Sequence, residues 1–530
     1  MGTRLSARGI VASTGYASGP LFLLESDGRV YSGSGDAAVE AGRLTLAVTQ
    51  ARDAVAALMA MAEGDAAEIL EFQVAMLEDD SLSAPSLDAI LGGSDAADAW
   101  TAALDAEIAG YEAAEDAYFR ARSADLRDIR DRVLRVLSGS AELAAPAGAL
   151  LFGRELTPTG FLSTDWGAGG GIVLSHGSST SHVAMLARAR GVPMLVGVGS
   201  VEAASDDFAL LDAERGRLIV LPDTEERHEF LKASVAYAQL VNAARSQMHR
   251  EAMTTDGVAV AVSVNVAQPA DVEHIDIGTC DGVGLMRTEF LYDRGLPDEA
   301  TQLAAYRKVL QWAGEKPVVI RTVDAGGDKP VPGFTIEESN PFLGTRGIRL
   351  ALKRPEVLRV QIRALLRAAP YGNLKVMLPM VSAAAEYDAA QALFEEEAAA
   401  LAAAGIPHAM PPLGIMVEVP AAALAPEQFA HAAFFSIGSN DLTQYVMAAA
   451  RDNGAVAGLS DVRHPAVLRL IRMVADFGRE AGIPVSLCGD AGSSPEAIPA
   501  LLAAGLRHLS VAPAQLPMAK AAIARASSHG

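Results

Sequence analysis

Cysteine is nearly absent. The 530 residues hold two, Cys280 and Cys488, far apart in the chain. That spacing excludes a disulfide scaffold and fits a reducing compartment. Positive charge is also scarce: 43 Lys and Arg stand against 65 Asp and Glu, a net charge of −22. Such a balance argues against nucleic-acid binding. If the ligand is an anion, the cations must be gathered in one cleft. No apolar segment of signal-peptide type follows Met1. The Ala-rich run from Ala383 to Ala404 is cut by Glu395, Glu396 and Glu397, so it cannot cross a bilayer. The expectation is a soluble, cytoplasmic protein.

What is present is apolar material. Half the residues are hydrophobic, enough for packed interiors. The chain is too long for a single core, so two to four domains are expected.

Residues 7–24 read as a strand pair, Arg8–Ala12 and Gly19–Leu23 around a Gly-containing turn. From Asp36 to Gly139 Pro and Gly become rare, and apolar residues recur at helical spacing. Leu44, Val48, Ala51, Val55 and Leu58 form one such face. Ile69, Phe72, Met76 and Leu77 form a second, before an acidic stop at Glu78-Asp79-Asp80. Leu104, Ile108, Tyr111 and Tyr118 form a third, and Leu126, Ile129, Val133 and Leu137 a fourth. The segment reads as a helical bundle. From Leu143 short apolar runs with Gly and Pro punctuation return, as in an α/β unit. The initial strands are assigned to this unit, with the bundle inserted. A charged helix over 225–252 follows, with Phe230, Leu231, Val235, Leu240 and Val241 on its apolar side.

Inside the α/β unit lies Gly177-Ser178-Ser179-Thr180-Ser181-His182. A helix-competent run follows it, which puts His182 near a helix N-terminus. Free N–H groups and the helix dipole favour negative charge there, so a phosphorylated imidazole would be stabilised. A histidine that merely caps the helix is the competing reading.

After Thr255 eight strand-like runs alternate with helix-competent stretches. They are Val258–Val266, Gly282–Met286, Val318–Thr322, Leu374–Pro379, Leu413–Val417, Phe434–Ile437, Val485–Leu487 and Leu509–Ala512. Eight β/α units are what a (β/α)8 TIM barrel requires; a doubly wound sheet is the alternative. Barrel active sites lie at the C-terminal strand ends. Here those ends carry Arg287-Thr288-Glu289, Arg321 with Asp324, Glu418, Asn440-Asp441 and Cys488. Arg346 and Arg451 lie nearby in sequence. Several arginines on one rim suit phosphate and carboxylate groups. Glu418 and Asp441 are hard oxygen donors of the kind that hold magnesium. Cys488 is a titratable thiol suited to proton transfer. Phosphoenolpyruvate fits the set: it needs two anion clamps, a metal, and an acid for its methylene carbon.

These stretches resemble Enzyme I of the bacterial phosphotransferase system, the phosphoenolpyruvate–protein phosphotransferases. The resemblance covers almost the whole chain. It rests on Phe72–Leu82, Thr180-Ser181-His182, DGVGLMRTEFLYDR from Asp281, RTVDAGGDK from Arg321 and NPFLGTRGIR from Asn340. It continues in GIMVEVPAA from Gly414, FFSIGSNDLTQY from Phe434, and Cys488-Gly489.

The resemblance implies that His182 is phosphorylated and passes its phosphoryl group to the phosphocarrier protein HPr. It implies that Arg287, Arg321, Arg346, Arg451, Asn440 and Asp441 bind phosphoenolpyruvate. Glu418 and Asp441 would hold Mg2+, and Cys488 would protonate the enolate to give pyruvate. The implied domains are 1–24 with 143–224 (phosphohistidine), 25–142 (HPr binding), 225–254 (linker helix) and 255–530 (barrel and homodimerisation). The chain departs from the pattern in three places. Ser178 and Ser179 stand where a Gly and a cation are usual. Ala450 replaces an aspartate, and Asp490 a glutamate.

Two other readings compete. A dikinase of the same superfamily is expected to need a nucleotide-binding domain ahead of the histidine, and no phosphate-cradling glycine loop precedes His182. A degenerate regulatory paralogue would not be expected to keep Arg287, Arg321, Glu418, Asp441 and Cys488 together.

Overall fold

The computed structural model describes residues 4–24, 31–59, 65–113, 117–139, 145–177, 182–292, 295–327, 331–336, 338–450 and 456–529. They fall into two compact units, Met1–Ala238 and Gln239–Gly530.

The first unit carries β1 (Leu5–Arg8), β2 (Ile10–Ser13), β3 (Tyr16–Leu23), β4 (Leu150–Gly153), β5 (Gly171–Leu174), β6 (Met194–Val196), β7 (Phe208–Asp212) and β8 (Arg217–Val220). They form one sheet in the order β1-β8-β7-β3-β4-β5-β6-β2. The expected pairing within residues 7–24 does not occur. Instead β2 runs antiparallel to β6, while β3 lies between β7 and β4. Side-chain periodicity gave no way to choose between a local hairpin and these distant partners.

The pair β3–β4 is parallel, so a long crossover must join the two strands. The helical segment supplies it. Five described helices lie between them: Ala37–Met59, Asp65–Glu78, Asp80–Leu91, Ala96–Ala113 and Ala117–Ser138. The sequence led us to expect four. The acidic cluster at Glu78-Asp79-Asp80 ends one helix, as expected, and also starts another. The Asp79 carboxylate accepts from the Ser81 N–H at 2.8 Å and caps the extra helix. Tyr118 belongs to the last of the five helices, not to the third face. Leu44, Ala51, Val55, Leu70, Trp100, Leu104, Ile129 and Val133 are buried together and hold the helices.

The charged helix spans Thr224–Ser246, and the division between units falls inside it. Phe230 and Tyr237 pack on the Tyr16 ring, with centroids 5.4 and 5.5 Å away. Leu231 and Val235, expected on the same apolar side, are exposed.

In the second unit the short strand β9 (Ala252–Met253) pairs with β10 (Ala259–Val266). After it come β11 (Val283–Met286), β12 (Pro317–Arg321), β13 (Asn373–Leu378), β14 (Leu413–Val417), β15 (Phe435–Gly438), β16 (Val485–Cys488) and β17 (His508–Val511). Neighbours pair in parallel in chain order, and β10 pairs with both β11 and β17. The sheet therefore closes as an eight-stranded TIM barrel, and the doubly wound alternative is excluded. No strand end lies more than one residue from its expected place.

The strands alternate. On β10, Val260, Val262, Val264 and Val266 face the outer core under the helices. Inside, Leu285, Val319, Met377, Met416, Phe434 and Cys488 make a separate cluster. Among the described residues no helix is long and apolar enough to cross a membrane.

Candidate active site

Arg287, Arg321, Glu418, Asn440, Asp441 and Cys488 line one cleft with about 350 Å³ of empty space at the C-terminal ends of the strands. They come from five strand ends, so only closure of the barrel brings them together. Met416 and Leu285 form its apolar floor. Arg287 is exposed and has no side-chain hydrogen bond among the described residues. Its charge is available to a ligand.

Arg321 is buried. It meets Glu289 Oε1 at 2.9 Å and Asp324 Oδ2 at 3.3 Å, and its Nη1 lies 3.6 Å from the Met416 sulfur. Its buried Nε has no partner among the described residues. Burial works against the charge, but Glu289, Asp324 and Glu418 outweigh it and hold the guanidinium above its usual range. Arg346 does not line the cleft. It lies behind Asp441, fully buried, 3.0 Å from Asp324 Oδ2, 3.4 Å from Asp441 Oδ1 and 3.2 Å from the Tyr445 hydroxyl. Asp324 is thus shared by two arginines. Tyr445 in turn donates to the Phe342 carbonyl at 2.6 Å, tying Arg346 to the preceding loop.

Glu418 is 1 % exposed and accepts from the Met380 N–H at 2.7 Å. Burial, then the charges of Asp441 and Asp324, push its carboxyl up to about 8. Carboxylates crowded this way call for a cation. Among the described residues no three His, Cys, Asp or Glu side chains form a metal-holding group. A metal here would have Glu418 and Asp441 as protein ligands and would take the rest from substrate and water. That is the habit of Mg2+ rather than of metals that prefer closed cages. Gly438 permits the approach: a Cβ there would lie 2.8 Å from Glu418 Oε2.

Cys488 is 1 % exposed. Burial pushes its thiol up to about 11; the Ser436 hydroxyl bond and the charges of Arg321 and Arg287 only partly oppose this. The sulfur is therefore protonated at neutral pH and suits a proton donor rather than a nucleophile. Asn440 is locked in orientation by Asp490. Its Nδ2 donates to Asp490 Oδ2 at 3.1 Å, and its Oδ1 accepts from the Asp490 N–H at 3.1 Å.

His182 opens the helix His182–Arg190 of the first unit. Arg451 lies outside the described residues. Sequence reading missed the roles of Glu289, Asp324, Tyr445 and Ser436. Glu289 and Asp324 were visible as charges two and three residues after an arginine, but their partners were not. Ser436 showed only as a polar residue within an apolar strand run.

Three family models match the chain. Residues 241–528 match the PEP-binding domain of PEP-utilising enzymes, 8–122 their N-terminal domain and 145–216 their mobile domain. A phosphoenolpyruvate-protein phosphotransferase of Geobacillus stearothermophilus is 37% identical over 534 residues, 97% of this chain and 92% of the relative. Its namesake in Haloferax volcanii is 42% identical over 417 residues, covering 76% and 72%. That of Listeria monocytogenes is 35% identical over 539 residues, covering 98% and 94%. With relatives matched over nearly its full length, the chain belongs to the phosphoenolpyruvate-protein phosphotransferase family of PEP-utilising enzymes.

Proposed function

We propose that this protein takes the phosphoryl group of phosphoenolpyruvate onto His182 and passes it to a histidine of the phosphocarrier HPr, releasing pyruvate. This is the first step of sugar uptake by the phosphotransferase system. The observation that carries the reading is the gathering of arginines, two carboxylates and a protonated thiol at one barrel mouth.

Arg287 and Arg321 bind the substrate's anionic groups, and Asn440 is held ready to donate to its carboxylate. Arg346 fixes Asp441 from behind, and Arg451 is assigned to the same grip. Glu418 and Asp441 would hold Mg2+, which when bound supplies neutralising charge for the transferring phosphoryl group. Neutral His182 attacks phosphorus in line; the bond from phosphorus to the enol oxygen breaks. The enolate methylene then takes the Cys488 proton, and the thiolate regains one from solvent. The imidazole releases the matching proton, so the charges balance.

The parts of the chain divide the work. Residues 1–24 with 143–224 carry His182, and 25–142 dock HPr. Residues 225–254 link these to the barrel, 255–530, which also pairs with a second copy. The compartment is the cytoplasm.

The test is incubation of the purified protein with phosphoenolpyruvate, Mg2+ and HPr, with pyruvate measured. Repeated turnover to pyruvate should need all three; without HPr pyruvate should stop at one equivalent per His182. His182→Ala should abolish phosphoryl transfer and leave substrate binding intact. A variant still labelled at a histidine by phosphoenolpyruvate would refute the assignment.

A further inference from the structure

Ser436 sits on β15 at an inward position, in register between Met416 of β14 and Ser486 of β16, and it is 0% exposed. Its hydroxyl donates to the Cys488 sulfur at 3.5 Å. No other side-chain hydrogen bond of Ser436 is present among the described residues. Cys488 lines the cleft; Ser436 lies behind it.

A structural role explains this poorly. Burying a hydroxyl is unfavourable unless it is well bonded, and a thiol is a weak acceptor. Alanine would fit the same space with no hydroxyl to satisfy. The bond makes sense if the sulfur becomes charged. Hydrogen bonds to an ionised acceptor are roughly twice as strong as neutral ones. An interaction that strengthens as the proton leaves speeds proton donation instead of merely tightening binding.

The geometry points to Ser436 as a positioning residue for the acid Cys488: its hydroxyl orients the thiol and stabilises the thiolate left after enolate protonation. This rests on the proposed role of Cys488. In the step, the S–H bond breaks and a C–H bond forms at the methylene carbon, using the enolate electron pair. The negative charge passes to sulfur, where the Ser436 O–H meets it. By approaching from inside the barrel, the hydroxyl leaves the S–H free to point into the cleft. Protonation then reaches one face of the enolate.

The test uses the full chain with phosphoenolpyruvate, Mg2+ and HPr. Ser436→Thr keeps a hydroxyl; Ser436→Val has nearly the same shape without one. Thr should keep kcat within a few fold, whereas Val should lose roughly ten- to hundred-fold, the scale of one hydrogen bond to a charged group. KM for phosphoenolpyruvate should be unchanged in both. With phosphoenolpyruvate carrying deuterium and tritium stereospecifically at C3, so that protonation yields a CHDT methyl, Val should also scramble the chirality of the pyruvate methyl group, because enolpyruvate escapes and ketonises in water. A packing role would move neither the stereochemistry nor the Thr–Val difference. Equal kcat and equal stereochemical purity in the two variants overturn the proposal, whether both are active or both impaired. Cys488→Ala separates the two readings. If it retains stereospecific turnover, the acid assignment itself falls. If it loses turnover while Val matches Thr, only the role of Ser436 falls.

Discussion

Asp324 is the residue on which the cation cluster turns. It is fully buried, and two guanidiniums close on it, Arg321 at 3.3 Å and Arg346 at 3.0 Å. Removing one partner of a buried ion pair leaves the other uncompensated and costs about 3–5 kcal/mol. Asp324→Asn keeps the shape and deletes the charge. It should lower unfolding stability by about that amount and raise KM for phosphoenolpyruvate, since both arginines lose their anchor. Urea unfolding together with a KM measurement tests this; unchanged values in both would show that Glu289 and Asp441 suffice. Gly489 is a second sensitive point. It has φ of 101°, and a Cβ there would lie 2.5 Å from Ser439 Oγ and 2.9 Å from Asn440 Oδ1. Gly489→Ala should strain the turn and displace Asn440. A raised KM with a smaller change in kcat is the expected result, and kinetics identical to the parent would refute it.

Among the elements, the helix Ala96–Ala113 depends on a residue far from it in sequence. Glu40, 2% exposed on the first helix, accepts from the Ala96 N–H at 2.9 Å. It also accepts from Tyr31 at 2.6 Å and from the Ser34 N–H at 2.7 Å. Burial alone would raise its carboxyl, but these bonds prevail and hold it down at about 2. A depressed carboxylate contributes stability that is complete above its unfolded value of 4.5 and is lost as pH falls toward 2. Glu40→Gln should therefore be less stable than the parent at neutral pH, with the gap narrowing between about pH 4.5 and 2. Unfolding curves at three pH values decide it; a gap that stays constant would mean the charge is immaterial. The helix periods were legible in the sequence because a helical face is a local pattern. The Asp79 restart was not: an acidic cluster looks the same whether it ends one helix or caps the next.

For the whole molecule, the closed barrel is the consequential feature. Because β10 pairs with both β11 and β17, none of the eight barrel strands β10–β17 is left as a free edge, and the second unit can stand as one core. A fragment beginning at Gln239 should bind phosphoenolpyruvate with Mg2+ as the full chain does. It should form no phosphohistidine, because His182 is absent. Calorimetric binding and radiolabel transfer check the two halves of this expectation. Loss of binding in a folded fragment would mean that the first unit helps to build the substrate site.

The sequence alone determined the eight β/α alternations, the strand ends to within one residue, and the charged residues at the tips. All three are local: a buried strand is a short apolar run, and its C-terminal tip is the next polar residue. Tertiary structure alone decided that β3 lies beside β4 across five helices, that Asp324 serves two arginines, that Arg346 stands behind Asp441, and that Ser436 touches Cys488. Each of these is a through-space contact between residues distant in the chain, and one-dimensional spacing does not encode such contacts. The protonation states of Glu418 and Cys488 belong to the same class, because burial and neighbouring charge set them, and both arise only when the barrel closes.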